Sequence, residues 1–384
     1  MIASALAGFS MAWSAAVAST VLWAGIRSGG DRSGKGPSVD GALVLRPCAG
    51  AEGSLARALE STNAAVRSFP IRVRFALATS GDAAIADATR AADALNAAGT
   101  DARVVVSGAT APNRKADQLA RALANELDTP SIVIVADSDV DLSGVSLDAL
   151  VRPLDDPRVA AAWAAPVEVA PATLGDRASA AVLDASLHSF PLLAALDKNG
   201  MVGKLFVVRR VALEQVGGFA AMVEHLGEDM ELARRLRAAG WRTELANVVA
   251  PSLASGRSWS DAAGRYARWI AVIRAQRPHL LVTYPALLVP TAPLVLASLS
   301  AVALGGALGW AACGLAIVAR IGAACLARSR TARPLRASSL VIDAALADAL
   351  VLHAFVRALG SRRTVWRGVE LRRGPSGRFR EEAQ

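Results

Sequence analysis

Apolar and polar positions along this chain fall into blocks of different period. Residues 3–26 carry neither charge nor proline, a run long enough for a helix across a bilayer, which takes ~20 residues. From 41 to 139, short runs rich in β-branched residues alternate with helical stretches. They read "GALVLRP" (41–47), a helix near 53–67, "IRVRFALA" (71–78), a helix near 82–98, "ARVVVSG" (102–108), a helix near 113–127, and "SIVIVADSD" (131–139). This alternation predicts parallel βαβ units in an open α/β sheet. The near-continuous apolarity of the strands predicts cover on both faces. Further on, "GEDMELARRLRAAGWR" (227–242) is an amphipathic helix with Leu232, Leu236 and Ala239 on its inner face. Residues 280–326 are charge-free up to Arg320 and too long for one span; Gly305-Gly306 offers a break, giving spans near 281–304 and 307–327. A last apolar stretch, 339–359, carries Asp343, Asp348, His353 and Arg357. Charges that deep are costly in lipid, so this stretch reads as an interfacial amphipathic helix.

Composition sharpens this layout. The chain is 53% apolar and 20% charged, too greasy for an ordinary soluble enzyme and too charged for a bundle of spans alone. The first run could be a secretory signal, with Ala15, Ala16 and Ala18 near a cleavage site. Its length and the lack of a basic leader favour a retained anchor. Net charge is +9, and from Arg320 onward thirteen arginines face five acids. Basic residues beside apolar spans suit the anionic cytoplasmic leaflet better than nucleic acid. Arg27, Arg32 and Lys35 place the middle region in the cytosol by the same rule. The organisation predicted is an anchor (1–27), a linker (28–40), a cytosolic domain (41–278), two transmembrane helices (279–330), then an interfacial helix and basic tail (331–384). Cys48, Cys313 and Cys325 lack metal-ligand spacing and read as buried apolar residues of a reducing compartment. The four histidines are scattered and form no ligand set.

Three clusters carry chemistry. Asp137-Ser138-Asp139 follows a strand directly, where open α/β sheets collect ligands. Two carboxylates there can grip a divalent cation on a diphosphate, or simply form a polar turn and helix cap. Glu228 and Asp229 occupy the first turn of a helix; the dipole alone favours acids there, while a functional reading makes Asp229 a general base. Arg265, Arg268 and Trp269 share one helix face by their spacing. Two guanidiniums suit a diphosphate, or equally lipid phosphates beside an aromatic belt.

Taken together and in this order, the clusters resemble the lipid-directed and processive members of the inverting GT-A glycosyltransferases. Those enzymes carry a strand-end DxD-like pair, an "ED" acid and a (Q/R)xxRW motif; here the last reads Arg265-Tyr266-Ala267-Arg268-Trp269. "LVLRPCAGAEGSLARALES" (43–61), "PNRKADQLARAL" (112–123), "GKLFVVRRVALEQVGGF" (203–219) and "VWRGVEL" (365–371) resemble, more narrowly, the ceramide glucosyltransferase group and its bacterial hopanoid-associated relatives. The resemblance implies a GT-A nucleotide-sugar domain, mostly parallel sheet with flanking helices, in a bacterial inner-membrane protein. It implies Mg²⁺ or Mn²⁺ on Asp137 and Asp139, Asp229 as catalytic base, and Glu228 with Trp269 at the acceptor site. Arg46, Pro47, Thr79, Lys115, Asp137, Arg265, Arg268 and Trp269 would contact the nucleotide sugar. Where the group has an aspartate after its second strand, this chain has Thr79, with Asp82 three residues on. The partners implied are a nucleotide-sugar donor, a membrane lipid acceptor and an anionic phospholipid surface. The default reaction is transfer of glucose from UDP-glucose to a ceramide-like hydroxyl. Hopanoid or diacylglycerol acceptors, a processive polysaccharide synthase and an inactive membrane scaffold are the alternatives.

Overall fold

The structure is a computed structural model, described for all residues except 29–38, 51, 127, 129, 226, 254, 332–336, 361–362, 367–368, 374–378 and 382–384. The predicted linker and much of the basic tail lie outside the described residues. In chain order the main elements are α1 (Ile2–Ser28), β1 (Ala42–Pro47), α2 (Leu55–Glu60), β2 (Ile71–Leu77), α3 (Ile85–Ala97), β3 (Ala102–Val106), α4 (Arg114–Ala124) and β4 (Ile132–Ala136). There follow α5 (Leu147–Val151), β5 (Val159–Glu168), α6 (Leu174–Asp184), α7 (Phe190–Leu196), β6 (Leu205–Arg209), α8 (Arg210–Gln215), α9 (Glu228–Ala238) and β7 (Arg242–Ser252). Last come α10 (Trp259–Gln276), α11 (Thr291–Ala303), α12 (Leu308–Arg330), α13 (Ala337–Gly360) and a small antiparallel sheet of β8 (Arg363–Trp366), β9 (Val369–Arg373) and β10 (Phe379–Glu381). The chain divides into a helical unit (Met1–Asp31, Pro171–Asp197, Gly256–Ser361) and a sheet unit (Arg32–Ala170, Lys198–Ser255, Arg362–Gln384).

The sheet unit is built on a 7-stranded sheet in the order β3-β2-β1-β4-β6-β5-β7. Strands β3, β2, β1 and β4 run parallel, while β6 is antiparallel to both β4 and β5. The central strands are buried along their whole length, the burial their unbroken apolar runs predict. Val44, Val73, Phe75, Ile134 and Val207 join one core; each such side chain contributes roughly 1.5–3 kcal/mol on burial. Chain order reverses between β1 and β4, so the loops after these two strands flank a topological switch point, where such sheets bind ligands.

In the helical unit, α1 buries Ala7, Ser10, Ser14, Val17, Val21 and Ala24. The spacing alternates three and four residues, a seam for close helix packing. Small side chains permit that closeness: a β-carbon at Gly25 would overlap Leu326 of α12, and Ser10 Oγ meets Ser298 Oγ of α11 at 2.7 Å. Helix α1 therefore packs along later helices of its own unit.

Two expectations change here. The break at Gly305-Gly306 is present, with Gly305 at φ +83°, but the stretch before it is not one helix. Residues Pro278–Leu288 and Thr291–Ala303 meet at a 49° bend, because Pro290 has no N–H to continue the ladder. At 1.5 Å per residue, α11 alone is only ~20 Å long; with Pro278–Leu288 it is long and apolar enough for one broken span or a re-entrant loop. The segment 339–359, read from sequence as interfacial, belongs to a continuous helix long and apolar enough to cross a membrane, as are α1 and α12. The electrostatic objection to such a span weakens because its acids are paired. Arg320 Nε lies 3.0 Å from both oxygens of Asp348. Asp343 pairs with Arg328 and, at 2.8 Å, with Arg177.

Candidate active site

The acidic turn after β4 is shaped from beneath by a buried arginine. Arg46, at the end of β1, is fully buried. Its Nη2 donates to the carbonyls of Asp137 (3.0 Å) and Val140 (2.7 Å), and its Nη1 to Ala58 O (2.6 Å) and Thr62 Oγ1 (2.7 Å). Burial pulls its pKa down to about 10 despite the nearby carboxylates of Asp139, Asp137 and Asp141. Arg46 was expected to lie near a nucleotide; its contacts instead make it a positioning residue for the turn. Pro47, next to it, is buried at the strand end. The last strand holds the other side of the turn: Leu253 N donates to Asp139 O, and Ser252 Oγ to Asp139 Oδ2, both at 2.8 Å.

Lys115, in the first turn of α4, joins the acidic turn to the helix acids. Its Nζ lies 2.7 Å from Asp137 Oδ1 and 2.8 Å from Glu228 Oε1, and donates to Gly203 O at 2.9 Å. Burial alone would lower its pKa; the charges of Asp137 and Glu228 outweigh that and raise it. Asn113 caps α4 by accepting from Ala116 N. Its Nδ2 donates to His225 O (2.6 Å) and Glu228 Oε2 (3.1 Å), so one residue starts α4 and orients α9. Glu228, predicted at an acceptor site, thus has both oxygens engaged. Burial opposes its ionisation, but Lys115 and Asn113 hold its pKa below the usual range.

Asp229 is the contrasting acid. Its Oδ2 accepts Gly203 N at 2.7 Å and its Oδ1 accepts Met230 N at 2.8 Å. Burial first, and the charge of Glu228 second, push its pKa up to about 6 against the opposing pull of Lys115. Each carboxylate oxygen still has a lone pair available. A half-buried carboxylate held by two backbone amides, with its pKa raised toward neutrality, can take up and release a proton. Gly203 is required by closeness: a β-carbon there would stand 3.1 Å from Asp229 Cβ and 3.2 Å from Lys115 Nζ.

The sequence profile of glycosyl transferase family 21 matches residues 7–378, nearly the whole chain. The chain belongs to that family. No curated protein matches its sequence. Among solved structures it is similar to a mannosyltransferase from Pyrobaculum calidifontis in complex with GDP-Man and Mn²⁺. Identity is 19%, the TM-score is 0.50, and the match covers 92% of this chain and 99% of that one. A glucosyl-3-phosphoglycerate synthase from Mycobacterium tuberculosis, in complex with Mn²⁺, UDP and glucosyl-3-phosphoglycerate, matches 62% of this chain and 79% of that one. There the identity is 16% and the TM-score 0.37. The fold is the mixed α/β GT-A fold expected from sequence, and the protein is a glycosyltransferase.

The remaining predicted site residues of this transferase lie in two places. Thr79 is exposed just after β2. Nearby Asp82 Oδ1 accepts Gly50 N (2.8 Å) and Ala84 N (3.0 Å), tying the loop after β1 to the loop after β2. Arg265, Arg268 and Trp269 belong to the helical unit, on α10. Ser258 and Asp261 start that helix with a reciprocal capping box. The Arg265 guanidinium lies 4.9 Å from the Trp269 ring centre and donates to Ser179 Oγ at 3.4 Å. Arg268 is half-buried and makes no ion pair among the described residues. Burial and the charges of Arg265, Arg357 and Arg257 lower its pKa. Sequence reasoning missed Lys204 and Ser252. Lys204 Nζ pairs with Asp139 and lies 3.6 Å from Asp137 Oδ2. Its only sequence signal is its place just before β6, uninformative until β6 is known to pair with β4.

Among the described residues no cluster of three or more His, Cys, Asp or Glu side chains could hold a metal. The protein offers two carboxylates instead, which suits Mg²⁺-like ions that take further ligands from substrate phosphates and water. Four carboxylates here (Asp137, Asp139, Glu228, Asp229) face two ammoniums (Lys115, Lys204). With the buried Arg46 guanidinium beneath the turn, three cations face these four acids, so the cluster keeps a net negative charge that a bound cation can offset.

Proposed function

We propose that this family 21 enzyme moves a hexose, glucose by family default, from a nucleoside diphosphate sugar such as UDP-glucose to the hydroxyl of a ceramide-like membrane lipid. The observation that carries this reading is the half-buried Asp229, held by two backbone N–H groups, its pKa raised to about 6 and linked through Gly203 and Lys115 to the acidic turn. Asp229 takes the proton of the acceptor hydroxyl as that oxygen attacks the anomeric carbon in line. The bond from that carbon to the diphosphate breaks on the opposite face, so configuration inverts. Gly203 N and the helix amide of Met230 hold the base still throughout, which preserves attack geometry. Asp137 and Asp139 would hold Mg²⁺ or Mn²⁺, whose chemistry is to offset charge on the leaving diphosphate. Lys115 keeps Glu228 ionised beside the base, and so helps set the base's proton affinity.

Arg265 and Arg268 carry fixed charge suited to a diphosphate, with Trp269 beside them; this role rests on the family motif and on their chemistry. The lipid acceptor is supported by three helices of membrane-crossing length. The basic flank of α1 supports a cytoplasmic sheet unit. The test is purified full-length protein with UDP-glucose and ceramide, measured by nucleotide release and by mass of the lipid product. One hexose added to ceramide is the expected result. Transfer to a hopanoid polyol but not to ceramide would overturn the acceptor. A long polymer would replace the reading with a processive synthase, and activity unchanged in Asp229→Asn would remove the proposed base.

A further inference from the structure

Lys204 places its ammonium on the acidic turn, against the two carboxylates read as cation ligands. Its backbone is fixed there: β6 pairs antiparallel with β4, and Lys204 O accepts Asp137 N at 2.8 Å. Its ammonium reaches back over that bond to the Asp139 carboxylate, 3.6 Å from Asp137 Oδ2. Ser252 holds Asp139 Oδ2 from the other side, and Lys115 already pairs with Asp137 Oδ1 at 2.7 Å. The two acids therefore meet ammonium groups from two different elements. The Lys204 side chain is only 15% exposed, so water does little to screen the pairing.

A divalent cation on the oxygens that Lys204 faces would meet its ammonium at close range, where like charges repel strongly in a site of low effective dielectric. That repulsion favours moving the ammonium, and a charged group leaving a semi-buried site needs a new partner. The diphosphate of the donor supplies anionic oxygens next to the turn. We propose that Lys204 is the resident counter-ion of the Asp137–Asp139 pair. A divalent cation and a nucleoside diphosphate then bind together, displacing its ammonium from carboxylate to phosphate oxygens. The inference rests on the reading that Asp137 and Asp139 hold the cation. It makes free metal a weak ligand and makes metal and nucleotide mutually dependent, by the reciprocity of linked binding.

The test is Mn²⁺ binding by the full-length protein in lipid nanodiscs, read from the electron paramagnetic resonance signal of free Mn²⁺, alone and with UDP or GDP. Without nucleotide, Lys204→Met should bind Mn²⁺ at least about tenfold more tightly than wild type, the direction set by removing a like charge from a site of low effective dielectric. Lys204→Arg, which keeps the charge, should retain the weak affinity. Nucleotide should tighten Mn²⁺ binding by a larger factor in wild type than in Lys204→Met. Equal or weaker Mn²⁺ affinity in Lys204→Met overturns the proposal, and so does tightening in Lys204→Arg to the level of Lys204→Met. Failure of both wild type and Lys204→Met to bind Mn²⁺ with either nucleotide also overturns it. Lys204→Gln serves if Lys204→Met does not fold, with thermal unfolding as the check. Tightening without any sugar transfer to ceramide would leave this inference standing and remove the acceptor reading. Transfer with unchanged Mn²⁺ affinity would do the reverse.

Discussion

Two clusters of buried charge, one in each unit, are built differently. In the helical unit the acids of α13 are matched by arginines: Asp348 by Arg320, Asp343 by Arg328 and Arg177. Arg320 also donates to the carbonyls of Ala185 and Ala344, at 2.8 Å each. In the sheet unit, four carboxylates gather around two ammoniums, and Asp229 receives only backbone N–H groups. Matched charges lock helices together. An unmatched excess leaves proton and cation affinity available for chemistry.

That contrast fails if Asp229 behaves like a structural acid. Asp229→Asn should lower sugar transfer by about 10²–10⁴-fold while raising the melting temperature at pH 7. In the folded protein the group's pKa is raised from 3.8 to about 6. Ionising it therefore removes stability as pH rises through this window, and the gain from Asn should vanish near pH 4. Wild-type transfer should fall about tenfold per pH unit below pH 6, where the base is protonated. A lowered melting temperature in Asp229→Asn at pH 7 would place this acid with the matched pairs.

For the helical unit the expected sign is opposite. Arg320→Met leaves Asp348 uncompensated and should destabilise the protein by about 3–5 kcal/mol in unfolding experiments. Adding Asp348→Leu should recover most of the loss, because an apolar pair of similar volume often replaces a buried ion pair at no cost. A double variant no more stable than Arg320→Met would show that the arginine acts mainly through its carbonyl contacts. The smallest effect belongs to Gly203→Ala. One methyl group must displace Asp229 or Lys115 by a few tenths of an ångström. Transfer should fall roughly ten- to hundredfold with little change in melting temperature, since nothing in the core is touched.

Much of this was legible in the chain because it depends on local pattern. The βα alternation gave the strands, the DxD-like turn lies at the end of β4, and Asp229 sits in the first turn of α9. The helix break at Gly305 was visible as a glycine pair. What stayed hidden depends on partners distant in sequence. Lys204 comes beside Asp139 only through antiparallel pairing of β6 with β4. Asp343 and Asp348 look prohibitive in an apolar helix until Arg177, Arg320 and Arg328 are placed against them. The π-turn at Tyr284–Leu288 escaped because Pro285 and Pro290 were read as residues inside a continuous span. Arg46 was expected near the nucleotide by the family resemblance; its buried guanidinium bonds to Ala58, Thr62, Asp137 and Val140.

The bonds of Arg46 also differ widely in the chain length they close. Arg46 bonds to Ala58 and Thr62, 12 and 16 residues away, and to Asp137 and Val140, 91 and 94 residues away. The near bonds can form early, whereas the far ones require closure of a long loop, a slow step for parallel sheets. The acidic turn therefore gains its shape only after β1 and β4 are side by side. During refolding, the arrival of Mn²⁺ affinity would mark completion of the sheet's centre, and an unfinished chain would be spared a premature, misplaced ion.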